Sequence, residues 1–251
     1  MFDVFEKEIN DHTHLTIIDI PSIDTELKEF IDKNLVPICE GNSSGDIKIV
    51  KQDLIQLFKN KKFKWKMGAI AEFFIHLYMQ SKDYKQEFLF RNLEEDSIKK
   101  GFDGLFSKND EFWLMESKSG SARTKNICHK TKVKEAMDDL GKRVAGIEKK
   151  NNPWREAYNH ASHMDVHASD SLRSELKKLR DNFTQGIFNN IKDYNTIPCG
   201  TIFLNGIWKA SDKTKIVKDI KDLSNKLCGK EISVICITQE SINMFLEYIK
   251  S

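Results

Sequence analysis

Asp103, Glu116 and Lys118 are the residues in this chain whose types and spacing could do chemistry together. They lie in GFDGLFSKNDEFWLMESK, residues 101–118. Two apolar runs flank Asn109-Asp110, a dipeptide suited to a tight turn. A hairpin pivoting there sets Lys108 against Glu111, Phe106 against Trp113 and Asp103 against Glu116. Directly opposed residues hold their Cβ atoms about 4.5–5.5 Å apart, and like charges placed so are destabilising. A divalent cation between them reverses that sign. Strand alternation then puts Lys118 on the face of Glu116. Two carboxylates and a lysine around a cation can make a nucleophilic water and steady an anionic transition state. The competing reading is a surface hairpin whose three charges form an exposed ion pair of little energetic weight. A slip of one residue would separate the pair.

One further carboxylate stands out upstream. Residues 67–79 (MGAIAEFFIHLYM) are apolar nearly all round, as in a buried helix, and Glu72 is the only formal charge among them. A buried, unpaired carboxylate costs several kcal/mol or takes up a proton. Glu72 therefore either pairs with His76 at i,i+4 or faces a cation, a donor or water beside the hairpin. Two lysine clusters border the same region. Residues 58–66 (FKNKKFKWK) interleave Lys62 and Lys64 with Phe58, Phe63 and Trp65. Lysines neutralise phosphates and aromatic rings stack on bases, although a solvated helix approach has the same composition. Arg123, Lys125, His129, Lys130, Lys132 and Lys134 make the first half of a helix expected over 124–147 basic. His160, His163 and His167 sit at i, i+3 and i+7; on one helix they would share a face able to hold a transition metal, and in a polar loop they would not.

The elements that must position these groups read as an α/β chain. Strands are expected at 14–20, 46–50, 85–91, 200–204 and 232–238, and helices at 24–35, 124–147 and 172–187. A polar connection covers 92–100, a break covers 149–153, Ser211 is placed to cap a helix, and a closing helix carries Ile242, Phe245 and Ile249. The 112–118 strand is apolar on both faces, so it belongs in the middle of a sheet covered on both sides. Residues 1–60 form a small accessory α/β region and 61–251 the main domain.

The 251 residues are 39% hydrophobic and 31% charged with a net charge of +2. No global field announces a nucleic-acid partner, so such a surface must come from local lysine clustering. Five scattered cysteines without a CxxC pair argue against a disulfide framework and a cysteine-based zinc site. The N-terminal residues lack an apolar signal core, and no stretch reaches the roughly 18–20 apolar residues of a membrane span. The expectation is a cytoplasmic protein with no membrane partner.

The order of these parts resembles the PD-(D/E)XK nuclease superfamily: a helix with Glu72, a strand with Asp103, a strand with Glu116-Ser117-Lys118, then a basic helix. Gly101-Phe102-Asp103-Gly104 stands where the motif's proline would be. The resemblance covers residues 64–147 well and the C-terminal part loosely. More narrowly, Gly68-Ala69-Ile70-Ala71-Glu72, Gly101-Phe102-Asp103-Gly104-Leu105 and Glu116-Ser117-Lys118 resemble the nuclease subunit of Hachiman-type phage-defence systems. The resemblance implies a restriction-endonuclease-like mixed sheet flanked by helices, phosphodiester hydrolysis of DNA, and restraint by a partner helicase. It implies Mg²⁺, with Mn²⁺ able to substitute, held by Asp103, Glu116 and the Ser117 carbonyl. Glu72 would reach it through water or help hold a second ion, and Lys118 would orient or deprotonate the attacking water or neutralise developing charge. DNA would lie along Lys62, Lys64, Lys125, Lys130, Lys132 and Lys134. The rival expectation is a catalytically silent nucleic-acid-binding or scaffold subunit that keeps the fold.

Overall fold

The computed structural model describes residues 2–90, 101–147 and 152–251. The expected connection at 92–100, Arg91 at the end of the 85–91 strand and residues 149–151 of the expected break lie outside the described residues. The described residues form one seven-stranded mixed sheet flanked by eight helices. Its strands are β1 (Asp3–Asn10), β2 (Thr13–Ile20), β3 (Lys85–Gln86), β4 (Gly104–Lys108), β5 (Glu111–Ser121), β6 (Asn195–Phe203) and β7 (Ile232–Gln239). They lie side by side in the order β1-β2-β7-β6-β5-β4-β3. The four middle strands β2, β7, β6 and β5 run parallel, with β1 antiparallel to β2 at one edge and, at the other, β4 antiparallel to β5 and β3 antiparallel to β4. β6 and β7 are buried nearly throughout, which is why their β-branched runs do not alternate with polar residues.

Helices α1 (Thr25–Glu40), α2 (Ile47–Lys59), α3 (Phe63–Ser81) and α8 (Asn243–Tyr248) contribute to the core on one face, against Phe106, Met115 and Ile197. On the other face, α4 (His129–Val144), α5 (Pro153–Ala161) and α6 (Asp170–Thr184) pack on Leu105 and Leu114. Next to them, α7 (Lys213–Leu223) shares a core with α4 under β2 and β7. The apolar helix expected at 67–79 is the buried centre of α3. Residues 1–60 supply two strands of the sheet, and α1 and α2 share a core with α3.

The hairpin has the expected turn and register. Asn109 and Asp110 take φ of 53° and 60°, so both central residues are left-handed, as a type I′ turn requires. Pairing runs from Lys108 with Glu111 through Phe106 with Trp113 to Gly104 with Met115. There the ladder ends. The Asp103 N–H donates to the Met115 carbonyl at 3.1 Å, so Asp103 and Gly104 both sit against Met115 in the manner of a bulge. Direct opposition of Asp103 and Glu116 is therefore not made. β5 runs on past β4 to Ser121, paired with β6 alone beyond this point. Replacing Asn109 with valine forces a β-branched residue into the left-handed region. We expect a loss of about 1–2 kcal/mol in urea denaturation, with Asn109→Gly close to neutral.

Several expectations are corrected. Residues 46–50 are not a strand: Asp46 caps α2, accepting from the Lys48 N–H at 2.8 Å. The Val50, Leu54 and Leu57 spacing simply continues back into that first turn. The 85–91 strand shrinks to β3. Ser211 does not cap α7; Asp212 does, through the Lys215 N–H at 2.9 Å, while Ser211 donates its N–H and its hydroxyl to Asp19 at 3.1 Å each. The basic helix starts at His129 rather than 124, because the chain turns first. The three histidines do not share a helix face, since α5 stops at Ala161. His160 is buried and stacked on Phe88, and His163 accepts from the Asp165 N–H. All five cysteines are free thiols. Among the described residues no helix is long and apolar enough to cross a membrane.

Candidate active site

Glu116 lies wholly buried in the middle of β5, on the face covered by α4. Its strand neighbours on that face explain the burial: Leu114 precedes it in the core beneath α4–α6. Lys118, two residues on and on the same face, donates its ammonium to Glu116 Oε1 at 2.6 Å. The other carboxylate oxygen accepts from Arg143 Nη1 of α4. Lys118 also reaches Asp139 of α4 at 2.9 Å, and Lys142 lies 3.6 Å from the same carboxylate. These partners come down to the strand because Val133, Met137, Leu140 and Val144 bury one stripe of α4. The helix can sit close because Gly200, the β6 partner of Lys118, has no side chain. A Cβ there would meet the His129 carbonyl and Lys132 Cβ at 3.1 Å each. The neighbouring residue pair also departs from a regular ladder. Glu116 pairs with Pro198, which has no N–H, and the β6–β7 register skips Ile197 and Pro198.

Asp103 joins this group from the end of β4. Its Oδ2 accepts from the Ser117 N–H at 2.8 Å, so its carboxylate is held at the backbone of the Glu116-Ser117-Lys118 segment. Glu72 comes from α3, on the opposite face, and is only 6% exposed. Its Oε1 lies 3.8 Å from His76 Nε2, which lies 3.3 Å from the Asp103 carbonyl. Both neighbours are acceptors, so Nε2 is the ring nitrogen that carries the hydrogen. The i,i+4 pair read from the sequence is thus present, but buried and tied to Asp103. Asp103 is the joint between two groups: Glu116 with Lys118 on the α4 side, and Glu72 with His76 on the α3 side.

Burial and the negative charge of Asp103 push the Glu116 carboxyl up to about 8, against the pull of Arg143 and Lys118. Burial disfavours the Lys118 charge, yet Glu116, Asp103 and Asp139 outweigh it and raise its pKa. Lys118 is an ammonium at neutral pH. Burial also works against Asp139, but the hydrogen bond and charge of Lys118 hold it below the usual carboxylate range. A fully buried carboxylate inside a mixed sheet, beside a second one and under two cations, is an expensive arrangement for structure alone.

The family model described as HamA matches residues 2–250. The chain belongs to the HamA family. That is the Hachiman defence protein family, so the chain has its place in antiphage defence. No curated protein matches the chain.

In this HamA-family chain, Arg143 and Asp139 are the site residues that sequence reading passed over. Both sit beside the apolar stripe at i−1 from Leu140 and Val144 and at i,i+4 from one another, which is the signal that could have found them. The expected nucleic-acid lysines differ in surroundings. Lys62 and Lys64 are exposed at the start of α3, and Lys125 is exposed in the turn before α4. Lys130, Lys132 and Lys134 pair with Asp222 at 3.7 Å, Glu135 at 2.6 Å and Asp138. His129 is not part of a basic surface: burial holds its imidazole below the usual range, and Nε2 sits 3.1 Å from the Ile237 carbonyl. Among the described residues no three His, Cys, Asp or Glu side chains form a ready cation cage. The donors do suit a hard cation: Asp103 and Glu116 offer carboxylate oxygens, and the Ser117 N–H holds the Asp103 carboxylate at the backbone beside Glu116.

Proposed function

We propose that this chain is a Mg²⁺-dependent DNA endonuclease of the PD-(D/E)XK type, the effector of a Hachiman system held in check by a partner helicase. The observation that carries this reading is the Glu116 carboxylate, fully buried, raised to about 8 and met by Lys118 at 2.6 Å, with Asp103 fixed to the adjoining backbone. Asp103 and Glu116 would hold the cation, with Mn²⁺ able to substitute. When bound, it supplies Lewis acidity to the scissile phosphate and to the attacking water.

The residues of the chain do the rest. Lys118 stays protonated at neutral pH, so it acts as a donor that orients the water or neutralises charge on the phosphate, not as the base. Asp139 keeps that ammonium charged and in place at 2.9 Å. Arg143 offsets the Glu116 charge. His76, backed by Glu72, fixes the Asp103 carbonyl and with it the end of β4. Exposed Lys62, Lys64 and Lys125 give the DNA backbone cations without competing acid pairs in the residues beside them.

A second reading is favoured by one observation. Both Glu116 oxygens are already engaged by Lys118 and Arg143, as they would be in a silent subunit that keeps the fold for scaffolding or nucleic-acid binding. Plasmid relaxation separates the two. Purified protein, freed of any inhibitory partner, should nick supercoiled plasmid in Mg²⁺ and stop in EDTA, and Lys118→Ala should lower the rate at least 100-fold. Equal and undiminished plasmid in all lanes rules out the endonuclease.

A further inference from the structure

The parallel strands β5, β6 and β7 end together, and a cavity of about 370 Å³ opens at their carboxyl ends. Open α/β sheets take ligands at this end. The volume sits at the small end of the range for small-molecule sites, enough for a base but not for a duplex. Its walls include Phe63, Arg123, Asn205, Asn243, Glu240 and Glu247. Phe63 and Asn205 stand out among them. The Phe63 ring is 52% exposed at the first residue of α3, between exposed Lys62 and Lys64. Asn205 is held in the left-handed region at φ 63°, with its amide shared between Ser121 and Phe203.

Carboxamides pair with base edges, and carboxylates accept from exocyclic amines. An aromatic ring open to solvent stacks on any base.

We propose that this cavity is a subsite for one unpaired nucleobase of a single-stranded nucleic acid. Phe63 stacks on the base. Asn243 and the acids Glu240 and Glu247 face its polar edge, which favours the amine-bearing bases adenine and cytosine. Arg123, with Lys62 and Lys64 at the rim, meets the flanking phosphates. Two acids against one arginine make the wall a poor place for a phosphate itself, so the base enters and the backbone stays outside. The subsite begins two residues beyond Ser121, where β5 ends, and Lys118 lies three residues before that end. At about 3.3 Å per residue Lys118 stands about 10 Å of strand before that end, on the other face of the sheet. The inference rests on the endonuclease reading for its substrate class, and it makes the substrate single-stranded where it is cut.

Fluorescence anisotropy in EDTA, where no cleavage occurs, tests the subsite apart from the chemistry. The probes are labelled oligo-dA and oligo-dT twelve-mers and a duplex of the same length. Wild type should bind single strands more tightly than duplex, and dA more tightly than dT. Phe63→Ala should weaken single-strand binding roughly tenfold, and Arg123→Ala should weaken it while lowering its salt dependence. Asn243→Leu should keep overall affinity but shrink the dA preference. Tight binding of single strands unchanged in Phe63→Ala and Arg123→Ala overturns the subsite, as does a wild type that binds duplex only. Asn109→Gly, in the hairpin turn at the other end of β5, is the control: it should bind oligo-dA as wild type does. Loss of plasmid nicking with normal base-dependent binding would leave the subsite standing and remove the endonuclease.

Discussion

Glu116→Gln should abolish plasmid nicking and, at the same time, make the protein more stable above pH 8. The two effects have one cause. Glu116 has its carboxyl pushed from 4.5 to about 8, first by burial and then by Asp103. In the unfolded chain the group titrates near its ordinary value. Between those two pH values the folded state binds the proton that the unfolded state has lost. The contribution of this group to stability is therefore complete below about pH 4.5 and is lost as pH rises through 8. Glutamine carries the neutral amide that resembles the protonated acid, so it gives nothing at low pH and relieves a buried charge at high pH. Urea midpoints at pH 6 and pH 9 provide the check. The gain over wild type should be a few kcal/mol at most and larger at pH 9. An equal gain at both values contradicts the buried, raised carboxyl. Cleavage by wild type should climb through the same region, with a midpoint near pH 8 when no cation is prebound.

Arg143→Met should also stop cleavage, but its effect on stability is bounded. Removing one partner of a buried ion pair ordinarily costs about 3–5 kcal/mol. Here the stranded carboxylate has an escape, because it can take up a proton. With its pKa near 8, that escape costs on the order of 1 kcal/mol at pH 9 and nothing at pH 6. The expected loss at pH 9 is thus small beyond the pH-independent loss of packing, and it should vanish in a Glu116→Gln background. A double-mutant cycle at both pH values measures this coupling directly. A loss that is the same at pH 6 and pH 9, and the same with Gln at position 116, would show that Arg143 acts through packing and not through Glu116.

The parts of the fold that local chemistry dictates are legible in the sequence. Asn109-Asp110 can adopt two left-handed residues in succession, and that turn sets the register of everything up to Gly104 and Met115. The α3 segment is apolar all round, and only a buried helix uses such a pattern. What failed depends on neighbours the sequence does not name. The 46–50 segment is β-branched enough for a strand, but Asp46 caps it into a helix. β1 carries charges at Asp3, Glu6, Lys7 and Glu8, as an edge strand does, so its alternation is too weak to read. The bulge at Asp103 turned an expected opposition with Glu116 into a hydrogen bond to the Ser117 N–H. Arg143 was missed because a basic residue late in a helix reads first as a dipole partner or a solvated charge. Only the packing of α4 on β5 brings it to a carboxylate of β5.

The central claim is that Asp103 and Glu116 share a divalent cation. Electron paramagnetic resonance of added Mn²⁺ tests it without reference to catalysis. Titrated at pH 8.5 into the purified chain, the free Mn²⁺ signal should fall as one ion binds per chain, and Mg²⁺ should compete. Asp103→Asn and Glu116→Gln should each remove that site, while Lys118→Met should retain or tighten it. Wild type and Glu116→Gln titrating alike would contradict the account, and Glu116 would then be a buried carboxylate held by Lys118 and Arg143 and nothing more.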